Sequence, residues 1–222
     1  MSDQRQNFTY YDPKTGRFTG GRIGAVEGYP EKGSTAWRAS NDRIFIKAVN
    51  DYNRSFGYRP GDDGFWTPHL LKTQAMIEAG GSHHKEAFLS DPLQVNKPLD
   101  WVPRKASLLG LERGDKMTPE TSAKAALLWL DYKGWQHDGN GDKTRWEGNA
   151  KALFDYNGNR AIHPKTGGEH RQWYADRISE MAGNMLAAQG LDPHGRHNSA
   201  SWSADGQSLD LMAREGDDPS GF

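Results

Sequence analysis

Glu78 is the carboxylate whose surroundings in the sequence best suit acid catalysis. It lies in the run Thr67-Pro68-His69-Leu70-Leu71-Lys72-Thr73-Gln74-Ala75-Met76-Ile77-Glu78-Ala79, which Gly80-Gly81 cuts off. Thr67 suits a helix cap, Pro68 the first helical position, and Gly80 the left-handed residue that closes a helix. Glu78 then falls in the last turn, on the side that Leu71 and Ala75 bury. The negative end of the helix dipole and poor solvation both disfavour the anion, so the carboxyl is expected to hold its proton towards neutral pH. A carboxyl of that kind can protonate a glycosidic oxygen. A surface Glu at a frayed helix end is the alternative that this segment alone leaves open.

The elements that must position Glu78 follow from periodicity and punctuation. Residues 7–24 read as a hairpin, two aromatic and β-branched arms around Asp12-Pro13-Lys14-Thr15-Gly16. After a Gly-, Pro- and Ser-containing loop, Asn41 or Asp42 suits the cap of a helix with Phe45, Ala48, Val49 and Tyr52 on one face, ending near Asn53. Residues 82–116 show no sustained period and are expected to be irregular. Thr118-Pro119-Glu120 opens a helix that runs to about Gly134. A further helix is expected from about Trp146 to Asp155, and a last one from about Glu169 to Gln189, with Tyr174, Ile178, Met181, Ala182 and Met185 on its buried face. The expected organisation is a hairpin and loop over 1–40, a helical catalytic domain over 41–190 and a polar tail over 191–222.

Composition narrows the chemistry. The 222 residues carry a net charge of -1 and no cysteine, so there is no basic field for nucleic acid, no thiol nucleophile and no cysteine-ligated zinc. No long apolar run is present to span a membrane. Trp, Tyr and Phe number eight each, and some can stack on a flat ligand such as a sugar ring. The histidines form no i, i+4 pair around a general-base Glu, which argues against a zinc hydrolase. Asp138-Gly139-Asn140-Gly141-Asp142-Lys143-Thr144 starts like a calcium loop, but Lys143 stands where Gly is needed and Asn149 where the bidentate Glu is needed. It reads as a connecting loop. No cofactor is expected.

Three strings occur in order: Met76-Ile77-Glu78-Ala79-Gly80-Gly81, Asp91-Pro92-Leu93-Gln94-Val95-Asn96 and Leu153-Phe154-Asp155-Tyr156-Asn157-Gly158. Over roughly residues 65 to 182 the chain resembles the lysozyme-like superfamily, in particular soluble lytic transglycosylases and goose-type lysozymes. The resemblance implies a mainly α lysozyme-like domain, with the small N-terminal β-hairpin beside it. It also implies an activity, cleavage of the β-1,4 bond between N-acetylmuramic acid and N-acetylglucosamine in peptidoglycan. Glu78 would be the acid and base. Gln94, with Asn96 in the same string, would line the sugar site, and Tyr156 and Asn157 would position the acid and the N-acetyl group.

Ala79 and Asp91-Pro92-Leu93-Gln94 depart from the family pattern of Ser and Gly-Leu-Met-Gln. These departures motivate the alternative of an inactive glycan-binding module. They also bring Asp91 and Glu86 forward as second carboxylates, which hydrolysis needs and lytic transglycosylation does not. Asp91 as a solvent-facing turn residue is the plainer alternative. Tyr11-Asp12-Pro13-Lys14-Thr15-Gly16-Arg17-Phe18 resembles a repeat unit of large secreted bacterial toxins. With no apolar segment in Met1–Asn7, the expectation is a monomeric antibacterial domain of a larger effector or phage particle. It would reach a neighbour's wall without a secretory signal, with peptidoglycan strands and an immunity protein as partners.

Overall fold

The computed structural model describes residues 9–23, 41–79 and 85–188. The linker around Gly28–Ser40, Gly80-Gly81, His83-His84 and the tail from 191 lie outside the described residues. The protein is mainly α-helical, with a small N-terminal antiparallel hairpin of β1 (Tyr10–Asp12) and β2 (Arg17–Thr19). The Asp12 carboxylate organises the turn by accepting from Lys14 N–H and the Thr15 hydroxyl, both at 2.9 Å, as the Asp-Pro-Lys-Thr-Gly signal requires. Asn50 then holds the hairpin to helix α1 (Asp42–Phe56). Its Oδ1 accepts from Phe18 N–H and its Nδ2 donates to Phe18 C=O, each at 2.7 Å, so one side chain replaces a missing strand. Phe18 and Ile23 are buried in the same core as the helices.

Helix α1 runs to Phe56, past the expected end at Asn53, because Gly57 takes the left-handed conformation with φ 73°. Its start also differs. Asn41 is the N-cap residue, but it is left-handed and its amide donates to Phe88 C=O at 2.7 Å, while Asp42 pairs with Lys72, so neither side chain bonds the helix's free N–H groups. Helix α2 (Pro68–Ala79) begins as expected, with Thr67 Oγ1 accepting from Leu70 N–H at 3.3 Å. It is buried all round except at Ile77 and Glu78, and is therefore the central helix and not an amphipathic surface one. The ammonium of Lys72 sits 2.5 Å from Asp42 Oδ1 inside the core, over the rings of Phe45 and Phe88. Burial pushes the Asp42 pKa up and the Lys72 pKa down, and the partner charge opposes both.

The segment expected to be irregular contains α3 (Lys85–Ser90), a 3₁₀ turn (Pro98–Asp100) and α4 (Pro103–Leu109). With 6 and 7 residues, these helices are too short to show a period. Helix α5 (Pro119–Gly134) is capped as expected, Thr118 Oγ1 accepting from Thr121 N–H at 3.2 Å. A second hairpin follows, β3 (Trp135–His137) with β4 (Lys143–Trp146), in which Trp146 pairs with Trp135. The expected helix from Trp146 therefore starts later. It is α6 (Asn149–Asn157), set off by Gly148 at φ 102°, and Trp146 packs edge-on against Trp66 instead. Helix α7 (His170–Ala188) buries Tyr174, Ile178, Met181, Ala182 and Met185 as the spacing requires. Among the described residues no helix is long and apolar enough to cross a membrane.

Candidate active site

Helix α2 delivers Glu78 in its last turn, next to α7 and to the 91–96 turn. The Glu78 side chain is half-buried, and its Oε1 accepts a hydrogen bond from the Tyr174 hydroxyl at 2.7 Å. Burial is the largest influence on this carboxyl and raises its pKa. The Tyr174 bond opposes the rise, as does the nearby Lys97 ammonium, while Asp91 and Asp100 add to it. The outcome expected from the sequence, a carboxyl that keeps its proton longer than an exposed Glu, is what this environment produces. Desolvation is its leading cause.

Gln94 has a positive φ of 51°, uncommon for a residue with a side chain. Two bonds hold it there. Its N–H donates to Asp91 C=O at 2.9 Å, and its Nε2 donates to the Glu78 backbone C=O at 2.6 Å. That carbonyl belongs to the last turn of α2, whose carbonyls run short of intrahelical donors, so Gln94 supplies one at the end of the helix that carries Glu78. Tyr156, on α6, donates to Leu93 C=O at 2.7 Å and fixes the same turn from the other side. Burial, with the charges of Glu78 and Asp91, pushes the Tyr156 pKa well up, so its hydroxyl stays a donor. The structure thus gathers Glu78, Gln94 and Tyr156, but exchanges one role: the hydroxyl on the acid belongs to Tyr174.

Asn96 and Asn157 both bond to loop backbone. Asn96 spends its carboxamide on the 112–117 loop, Nδ2 donating to Glu112 C=O and Asp115 C=O and Oδ1 accepting from Gly114 N–H at 3.0 Å. An amide used at both ends has little left for a ligand. Asn157 is the last residue of α6, and its Oδ1 accepts from Asn159 N–H at 3.2 Å, a turn role beside the left-handed Gly158.

The two second carboxylates also change. Asp91 does not face solvent as a plain turn residue; it is half-buried and bonded on both oxygens. Oδ1 accepts from the Ser122 hydroxyl at 2.6 Å and from Val95 N–H, and Oδ2 accepts from Asn96 N–H at 3.1 Å. These bonds build the turn that holds Gln94 and leave Asp91 poorly placed to activate water. Glu86 is exposed on α3. Asp100, which the sequence analysis did not single out, is exposed on the 3₁₀ turn, and its charge adds to the rise at Glu78. Lys97, Leu99 and Val102 are exposed along the same stretch and Trp101 is half-exposed. Nothing in the spacing singles out this segment. Tyr174 did carry a signal, since its position on the buried stripe of α7 puts a hydroxyl inside the core, where it needs a partner.

At the 138–142 turn, Asp138 Oδ1 accepts from Asn140 N–H and Asp142 N–H, both at 2.9 Å, which holds its pKa below the usual carboxylate range. This is the bonding of a connecting turn. Among the described residues no group of three or more His, Asp or Glu side chains is placed to hold a metal ion. No family model matches the chain, and no curated protein or solved structure is significantly similar to it.

Proposed function

We propose that the protein is a peptidoglycan-degrading muramidase of lysozyme-like architecture, with Glu78 as general acid for the β-1,4 bond between N-acetylmuramic acid and N-acetylglucosamine. One observation carries the reading: a half-buried carboxyl at a helix end, raised in pKa by burial and aimed by a buried tyrosine at 2.7 Å. The protonated acid gives its proton to the glycosidic oxygen as the bond breaks. Charge then develops on the sugar as an oxocarbenium-like species, which the resulting carboxylate stabilises. Hydrolysis is the preferred course. Asp100 is the candidate base, because its carboxylate is exposed and its charge reaches Glu78, whereas both oxygens of Asp91 are engaged. Inversion of this kind uses carboxyls roughly 6.5–9.5 Å apart, leaving room for water. Trp101, half-exposed on the same stretch, suits stacking on a sugar ring.

Lytic transglycosylation is the second reading, favoured by the engagement of Asp91. In that reaction the muramyl C6 hydroxyl attacks intramolecularly and Glu78 serves as acid and then base. A wall-degrading domain of this kind fits delivery to a neighbouring cell's wall, with an immunity protein protecting the producer. Clearing of purified peptidoglycan by the protein and by Glu78→Gln tests the assignment. The wild-type protein should clear the suspension and the variant should not; equal clearing by both removes Glu78 from the chemistry.

A further inference from the structure

A second feature lies on the face formed by β2 and α1. There an open pocket of about 420 Å³ is lined by Arg17, Arg43 and Lys47 over Gly20, Gly21 and Ile46. Arg43, Ile46, Lys47 and Asn50 follow one another at i, i+3, i+4 and i+7, so they form one face of α1. Arg17 comes from the facing strand. Asn50, at the far end of that face, is spent on both backbone groups of Phe18, the residue after Arg17. The two elements that carry the cations are therefore fixed relative to each other before any ligand arrives.

The charge in this pocket is not balanced. No carboxylate lines it. Asp51, on the same helix, accepts from Lys47 Nζ and Arg54 Nη2, each at 2.5 Å, and also feels Arg17, so one negative charge is shared among three cations. Neither Arg17 nor Arg43 forms an ion pair among the described residues, and both are exposed. In a chain of net charge -1 this is a local concentration of positive charge, not part of a general basic field. The bare backbone of Gly20 and Gly21 leaves the floor low, and Arg43 Nε lies 3.8 Å from where a Cβ on Gly21 would stand.

We propose that this pocket binds the phosphates of a phosphodiester-linked polymer. Two guanidinium forks and an ammonium, offered from a strand and a helix, suit a tetrahedral oxyanion that accepts bonds from several directions better than a planar carboxylate. The pocket is open to solvent, as a bound polymer needs, whereas a small free anion is best held in an enclosed site. The inference rests on this pocket alone and holds whether or not Glu78 is catalytic.

Calorimetric titration of the full chain with a glycerol phosphate oligomer, with inorganic phosphate and with anionic phospholipid vesicles tests it. The oligomer should bind saturably and more tightly than inorganic phosphate or vesicles. Arg17→Ala and Arg43→Ala should each weaken it roughly tenfold. Each should also lower the dependence of log K on log salt by about one charge. Both side chains are exposed, so the variants should keep the wild-type melting temperature and clear polymer-free peptidoglycan as the wild-type protein does. Three results would overturn the proposal: no saturable binding of the oligomer, equal binding by the arginine variants, or tighter binding of vesicles than of oligomer.

Discussion

Replacing Tyr174 with Phe removes one oxygen and leaves a ring of the same shape in a site that is 2% exposed. What is lost is the 2.7 Å hydrogen bond to Glu78 Oε1. A bond to a charged acceptor contributes about 1.5–3 kcal/mol and one to a neutral acceptor about 0.5–1.5 kcal/mol. The cost of Tyr174→Phe should therefore depend on the charge of Glu78. Above the raised pKa of Glu78 the variant should lose about 1.5–3 kcal/mol, and at pH values where Glu78 is protonated about 0.5–1.5 kcal/mol. The difference, on the order of 1–1.5 kcal/mol, is roughly a tenfold change in the ionisation of Glu78 towards the acid form. Urea unfolding of both proteins across the pH range measures it. The wild-type protein should lose stability as pH rises through the Glu78 titration, because the folded state binds that proton more tightly than the unfolded chain, and the variant should lose more. If Glu78 is the general acid, the alkaline limb of the activity profile should also move to higher pH. A loss that is the same at every pH, or a limb that moves down, would refute the claim that this hydroxyl stabilises the Glu78 anion.

Glu78→Gln should be more stable than the wild-type protein on the alkaline side of the Glu78 titration, where the half-buried carboxylate is charged. The advantage should vanish below the ordinary Glu range near pH ~4.3, and a pH-independent difference would contradict the raised pKa. Lys72→Met leaves the Asp42 carboxylate in the core without its 2.5 Å partner and should cost about 3–5 kcal/mol at neutral pH in urea unfolding. Adding Asp42→Asn should restore most of that loss, since no unpaired charge then remains. Gly134→Ala would put a Cβ 2.2 Å from the Trp146 ring. It should destabilise by about 1–3 kcal/mol and shift the tryptophan fluorescence, because Trp146 has to leave its place between Trp66 and Trp135.

The parts of the fold that could be read in the sequence are those with their own punctuation. Thr67-Pro68 and Thr118-Pro119 start helices where a hydroxyl caps and a proline needs no donor, and the stripe from Tyr174 to Met185 is long enough to fix its period. Trp146 misled for a physical reason. Its spacing to Ala150 and Leu153 fits a helix, yet its ring is held across the strands by Trp135, a contact that periodicity along the chain does not register. Glu78 was legible because a carboxylate on a buried stripe is anomalous. Gln94 and Tyr156 came from the resemblance, and the structure shows them acting on backbone, through Glu78 C=O and Leu93 C=O. Tyr174 was passed over because an aromatic on a core stripe reads as packing, although its buried hydroxyl called for a partner, and Asp100 because nothing in a short 3₁₀ turn announces which charge it will influence.

The central claim is that Glu78 donates a proton to the glycosidic bond. Mass spectrometry of the fragments released from purified peptidoglycan by the wild-type protein and by Glu78→Gln addresses it most directly. The account predicts disaccharide muropeptides with reducing N-acetylmuramic acid ends from the wild-type protein, heavier by one water than the anhydro ends of the transglycosylase course, and none from the variant. Glycan fragments released equally by Glu78→Gln, or peptide fragments from intact glycan strands, would contradict it.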